Sequence, residues 1–326
     1  MRTRVRRSAS LRGMLALAVL AGAAAWPAGR ARASTELELG APAPSCVVGL
    51  VATGAITLEG PWALSRPQGL AVDHRQRVLV ADTGNHRVVE MSPSGTPVGE
   101  FGGYGWEEAR FDSPVDLAVY AGFYIYVLDG GNRRVQRFDV DGNYLDTVVQ
   151  TGDAGTPVAL EVGRAGEIYL LDADSQSVLF LSQFGEAENA FGRFGSEGGG
   201  LTIPFDIAAG PAGEVAVADL GRAAVFVFDQ FGALSLTVSS PDTLLACGVA
   251  FDRRGNLLVS DRIHGRVSVF SPAGACTAVL DRDAAGNAIH PSALAVTARD
   301  ELLVLEREPA RILRAEMRYG DCAAPR

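Results

Sequence analysis

Several sets of side chains in this 326-residue sequence have types and spacings that could do chemistry. Histidines stand at His74, His86, His264 and His290. Three imidazoles can hold a catalytic zinc and leave a position open for water. Asp116 and Asp206 each stand two residues after a proline, Pro114 and Pro204. A pair of carboxylates begins a cation site, but calcium takes about six to eight oxygens and no Asn or Glu stands at the matching positions elsewhere. The pattern Asp-x-x-Asn-x-Arg occurs as Asp82, Asn85, Arg87 and again as Asp129, Asn132, Arg134. DVDGNYLD (139–146) and DRDAAGN (281–287) superficially resemble calcium loops, yet neither has the bidentate Glu that closes an EF-hand. No nucleophile–base pair stands out.

The elements that must position these residues repeat along the chain. Pro67, Pro114, Pro157, Pro204, Ala246 and Pro291 each precede an acidic residue by the same interval: Asp82, Asp129, Asp172, Asp219, Asp261 and Glu306. Between each pair runs a strand, a turn and a second strand. The second strands, RVLVAD, YIYVLD, EIYLLD, EVAVAD, NLLVSD and ELLVLE, are apolar and rich in Val, Leu and Ile, as strands covered on both faces should be. A third strand follows (HRVVEM, RRVQRF, AAVFVF, RVSVF). A glycine then follows at a fixed offset in five units, at 95, 142, 185, 232 and 274, where a turn needs positive φ. A fourth strand (TPVGEF, ALSLTV) completes the unit. Four short antiparallel strands per unit of about 40–45 residues is the period of a β-propeller blade. The predicted fold is therefore all-β, a six-bladed propeller.

The segments ADTGNHRVVEM and LDGGNRRVQRF closely resemble the NHL repeat. The resemblance extends over roughly residues 64–317 and fades in later units. Ser175 and Ser177 replace the Asn and Arg in the third, Arg222 and Ala224 in the fourth, and Pro309 enters the sixth beside a retained Arg311. It implies a closed ring in which some relatives bind RNA and some amidating lyases hold zinc with histidines. Propellers of the gluconolactonase and paraoxonase type hold calcium on the axis. In such a ring the sixth unit runs out of chain after its third strand, so CVVGLVATGAITLEG near the N-terminus is expected to supply its outer strand and remove an open edge. That puts Cys46 beside Cys322 and predicts a disulfide. Cys247 and Cys276 fall on opposite faces of the fifth blade, beyond bonding reach.

Placed on this frame, a motif repeated round the ring reads as structure, because a catalytic constellation needs only one copy. Asp82, Asn85, Asp129 and Asn132 are expected to hold turn N–H groups, and Arg87 and Arg134 to pair with carboxylates of a neighbouring blade. His86 and His264 fall off the axis. Asp116 and Asp206 fall at the channel mouth and are ligand-binding candidates. Two long connections on the face carrying the Asp loops are the others: 102–113 with Tyr104 and Trp106, and 186–203 with Phe191, Arg193 and Phe194. Aromatics with arginine on loops favour binding; the competing reading is packing on blade edges.

Residues 1–33 read as a signal peptide: a basic start, an apolar run from Met14 to Trp26 too short to span a bilayer, then Ala31-Arg32-Ala33. Residues 34–45 read as a linker, 46–322 as the propeller and 323–326 as a tail. All 29 basic residues are arginine, and the segment after Ala33 carries 22 of them against 38 Asp plus Glu. Such a surface repels phosphate backbones, so nucleic acid is not an expected partner. The expectation is a secreted or periplasmic, non-catalytic scaffold for a protein, peptide or glycan, without cofactor or membrane span. The alternative is a metal-dependent lyase or lactonase-like hydrolase at the channel mouth.

Overall fold

The computed structural model describes residues 45–150, 155–193, 200–239 and 245–322. Their strands form six four-stranded antiparallel sheets. Five blades take consecutive strands, beginning at the inner strands Leu70–Val72, Pro114–Tyr120, Pro157–Val162, Pro204–Ala209 and Ala246–Phe251. The sixth combines Pro291–Val296, Glu301–Arg307 and Ala310–Asp321 with Ser45–Ile56 as its outer strand. Inner strands of neighbouring blades touch all round, and the contact between blades 6 and 1 completes the ring.

The N-terminal strand seals blade 6 in long register, from Ser45 opposite Asp321 to Ile56 opposite Ile312. Cys46 and Cys322 form a disulfide across this seam, with Cα atoms 5.0 Å apart. Cys247 is a buried thiol and Cys276 an exposed one.

Apolar side chains of the second and third strands fill the space between blades rather than a single central core. Leu79, Ala81 and Val88 of blade 1 pack on Leu117, Ile125 and Val127 of blade 2, with Phe111 and Phe138 between. Tyr169 and Leu171 of blade 3 likewise meet Val215 and Val217 of blade 4. Each second strand is buried along most or all of its length. This explains its unbroken apolar sequence: both faces are covered.

The repeated acid ends the second strand in blades 1 to 5 and stands one residue from its end in blade 6, almost wholly out of water. Asp82 takes the backbone N–H of Ser65 at 2.7 Å on one oxygen, and Asn85 Nδ2 and Arg87 Nε, both at 2.8 Å, on the other. Asp129 repeats this with Asp112 N (2.7 Å), Asn132 Nδ2 (2.7 Å) and Arg134 Nε (2.9 Å). The arginines therefore pair within their own blade, not with a neighbouring one. The third strand returns antiparallel to the second, so the arginine opens it directly opposite the acid that ends its neighbour: Asp82 faces Arg87 and Asp129 faces Arg134. Arg134 also donates to the carbonyls of Trp106, Glu107 and Arg110, pinning the connection into blade 2. Where Asn and Arg are missing, N–H groups suffice. Asp219 accepts from the backbone of Thr202, Ile203 and Arg222 and from the Thr202 hydroxyl.

Candidate functional site

The inner strands enclose a central channel with a cavity of about 490 Å³, lined by apolar side chains and by Asp116, Glu161, Asp206 and Cys247. The three carboxylates come from blades 2, 3 and 4. Asp116 accepts from its own neighbour Leu117 N at 2.8 Å and from Leu160 N of blade 3 at 2.7 Å. Asp206 accepts from Val249 N of blade 5 at 2.8 Å. Glu161 accepts from Val162 N at 2.8 Å and faces the N–H of Ala209 in blade 4. Each carboxylate thus clasps the inner strand of the next blade.

Blades 1 and 5 close the same gap differently, with glycine at the position of Asp116 and Asp206. A Cβ on Gly69 would lie 2.8 Å from the Asp116 Cα, and one on Gly248 would lie 2.3 Å from the Ser292 carbonyl oxygen. Glycine leaves room for the backbone of the next strand, whereas aspartate reaches that strand with its side chain.

Three half-buried acids facing one channel cannot all ionise freely. Burial pushes Asp116 and Glu161 up to about 7, and Asp116 adds its charge to the effect on Glu161. Burial, then the Asp116 charge, drive Asp206 well above the usual carboxylate range. Nearby, the Cys247 Sγ lies 3.4 Å from Ser260 Oγ and donates to the Pro291 carbonyl, and burial holds its thiol up to about 11. Burial therefore disfavours the thiolate, the reactive form. Glu161 was not among the candidates read from the sequence. The signal was present: it stands two residues after Ala159 in an inner strand, and side chains two apart share a face.

The histidines are dispersed. His86 Nδ1 accepts from Ser113 N at 2.9 Å, His264 Nδ1 lies 2.7 Å from Asp261 Oδ2, and His290 gives its backbone N–H to Glu306. His74 sits in a turn against Gly122. Among the described residues no group of three His, Cys, Asp or Glu side chains is placed to hold a metal ion. In DVDGNYLD, Asp139 accepts from the N–H groups of Asp141 and Asn143 at 2.9 Å, the geometry of an ordinary Asx turn.

The two aromatic connections differ. Trp106 and Tyr104 expose 72% and 67% of their surface, although the backbone beneath them is fixed by Arg134 and by a bridge from Tyr104 to Phe111. The Tyr104 ring rests edge-on against His86, centroids 5.0 Å apart. Phe191 instead ends the outer strand of blade 3, Ala187–Phe191, opposite Val178, and packs on Phe228 with centroids 5.1 Å apart. It belongs to the packing between blades 3 and 4, not to a loop. Arg193 follows it and makes contacts of its own. Phe194 lies outside the described residues.

The NHL repeat model matches residues 64–90, the first blade with its Asp82, Asn85 and Arg87. The chain is 28% identical to the human E3 ubiquitin-protein ligase NHLRC1 over 282 residues, which is 78% of this chain and 69% of that protein. It is 30% identical over 96 residues to a probable peptidyl-alpha-hydroxyglycine alpha-amidating lyase of Caenorhabditis elegans, covering 28% of this chain and 27% of that one. Among solved structures, a gluconolactonase from Xanthomonas campestris superposes with a TM-score of 0.60 at 19% identity, over 85% of this chain and 99% of that one. Identity that low carries the fold alone. The repeat match, the sixfold recurrence of the buried acid and the closed ring together make this chain a six-bladed β-propeller whose first blade is an NHL repeat.

Proposed function

We propose that this propeller is a secreted or periplasmic binding scaffold that captures a protein, peptide or glycan on the face carrying the Asp loops and performs no chemistry. The observation that carries the reading is Trp106: a large aromatic ring held out into solvent by a backbone that Arg134 fastens in place. Pre-ordering of this kind limits the entropy lost on binding, and exposed Trp beside Tyr is the residue chemistry of interface anchors. The acidity of the chain favours a partner other than nucleic acid. Export is read from the apolar run and Ala31-Arg32-Ala33; intact mass of exported protein should begin at Ser34.

Capture from the extracellular fraction by mature protein supplies the partner for the test. Trp106→Ala should then weaken binding by about 2 kcal/mol or more and leave the melting temperature unchanged. A fall in melting temperature with capture intact would remove the site.

The three channel carboxylates and the lyase and lactonase among similar proteins favour a second reading, a hydrolase or lyase working in the channel. Their hydrogen bonds to neighbouring strands weigh against it, since each is already engaged in packing. Stoichiometric zinc or calcium in purified protein, lost on Asp116→Ala or Asp206→Ala, would favour the enzyme.

A further inference from the structure

On the face opposite the Asp loops, side chains of the turns tie one blade to the next. The residue directly before the second strand is Arg77 in blade 1, Asn256 in blade 5 and Glu214 in blade 4. Arg77 donates to the Val140 carbonyl of blade 2, and Arg75 pairs with Asp141 at 3.2 Å. Asn256 Nδ2 donates to the Ser45 carbonyl of blade 6 at 3.2 Å, and Arg253 pairs with Asp300. Blades 6 and 1 are joined by Arg314, which donates to the Pro93 carbonyl at 3.1 Å. In blade 4 the turn reads Pro211-Ala212-Gly213-Glu214 and has no side-chain donor to offer blade 5. Glu214 instead accepts from Ala212 N of its own turn at 2.7 Å. Among the described residues no hydrogen bond or ion pair crosses the junction of blades 4 and 5 on this face.

The unbridged junction is open as a groove of about 550 Å³. Its floor is apolar, made by Leu236 of the outer strand of blade 4 with Phe251 and Leu257 of blade 5. Leu236 and Phe251 are only partly buried by the core beneath them. Phe231, 77% exposed, stands in the turn on one side, and the exposed Pro272 in the turn on the other. Among the described residues the charged side chains lining the groove are both acids, Glu214 and Asp229. Asp229 Oδ1 accepts from Phe231 N and Ala233 N, which leaves Oδ2 for a ligand. Glu214 Oε1 stands against blade 5, 3.7 Å from where a Cβ on Gly255 would lie, and meets no donor there.

We propose that this groove takes a linear peptide segment carrying an arginine among apolar side chains, the guanidinium meeting Glu214 and Asp229 and the apolar side chains covering Leu236, Phe251 and Phe231. Pro272 holds the repeat position of Val140, the residue whose carbonyl Arg77 reaches in blade 1. A partner's arginine therefore supplies the cation that blade 4 lacks at this place in the repeat. A guanidinium fork matches carboxylates, and an exposed aromatic ring is the usual anchor of an interface. Charge favours the same occupant: the segment after Ala33 carries 22 arginines against 38 Asp plus Glu, a field that draws in cationic segments and repels acidic ones. A groove of this size takes a few side chains and not a folded domain. It lies on the other face from Trp106 and stands or falls separately from the scaffold reading.

The test is fluorescence anisotropy of mature protein, at fixed ionic strength, with three labelled octapeptides: alternating Arg-Leu, alternating Glu-Leu and alternating Arg-Ser. The Arg-Leu peptide should bind at least about tenfold more tightly than either of the others. Glu214→Arg should reverse the preference between the Arg-Leu and Glu-Leu peptides. Phe231→Ala should weaken Arg-Leu binding about fivefold or more and leave the melting temperature unchanged. Because Phe231 is exposed, that variant decides the matter if Glu214→Arg does not fold. Phe184, 68% exposed at the same turn position of blade 3, does not line the groove, and Phe184→Ala should leave binding intact. Equal affinity for the three peptides, unchanged binding in Phe231→Ala, or equal losses in Phe231→Ala and Phe184→Ala would overturn the proposal. So would self-association in sedimentation that Phe231→Ala abolishes, which would assign the groove to a second copy of the chain. Trp106→Ala should not affect the peptides.

Discussion

The two halves of the channel solve one packing problem with opposite chemistry. Through blades 2, 3 and 4, Asp116, Glu161 and Asp206 reach across to backbone N–H groups of the next inner strand. Through blades 5, 6 and 1, Gly248, Ala293 and Gly69 occupy the position of Asp116 and Asp206, which in blade 3 is Ala159, two residues before Glu161, and at the two glycines the next strand comes so near that a Cβ would collide. The first half gains hydrogen bonds and accumulates charge that the channel cannot hydrate well. The second lines the channel with no carboxylate of its own. The lesson is that a repeat position can be filled by packing logic alone and still give the ring an electrostatic direction.

The largest expected effect tests the second half, which contains the seam where the chain ends meet. Cys46→Ser removes a crosslink spanning 276 residues of sequence. It should lower stability by up to about 5 kcal/mol, since long closed loops restrict the unfolded chain most. Denaturant melts with and without reductant would read it. Peptide mapping that found Cys247 bonded instead would break the strand order.

Next in size is the glycine closure. Gly69→Ala should cost about 1–3 kcal/mol, because the added methyl meets the Asp116 backbone and not a flexible side-chain end. A neutral result in thermal denaturation would mean that blades 1 and 2 can part without penalty, and the contrast between the halves would dissolve.

The last expected effect is proton-linked and belongs to the first half. Asp116 and Glu161 stand near 7, and Asp206 is raised as well, so the folded protein holds these protons more tightly than the unfolded chain does. Their stabilising contribution is complete below the usual carboxylate range and is lost as pH rises through about 7. Stability should fall as pH rises between about pH 5 and pH 8. Asp206→Asn keeps an oxygen for Val249 N and should flatten that slope. A melting temperature that rises over the interval, or an unchanged slope in the variant, would show that the three carboxylates do not share their charge.

Much of the fold was legible in the sequence because the repeat is written six times. The constant interval from proline to acid, the apolar second strands and the leftover N-terminal segment led to six blades, a borrowed outer strand and the Cys46–Cys322 bond. Single positions were harder. Phe191 looked like a loop aromatic because the outer strand of blade 3, AENAF, is mostly polar or small; its partner Phe228 is supplied by the neighbouring blade. Arg87 and Arg134 were expected to reach a neighbouring blade, whereas antiparallel register puts them opposite their own Asp82 and Asp129.

What the sequence determined by itself was everything periodic: strand count, blade boundaries, buried acids and closure. These depend on local patterns and on the need to cover both faces of each second strand. What only the tertiary structure decided was which side chains from different blades share one space. Glu161 comes to share the channel with Asp116 and Asp206 only when the ring bends residues from well-separated parts of the chain onto one axis. No spacing encodes that meeting, because it depends on the curvature accumulated over all six blades.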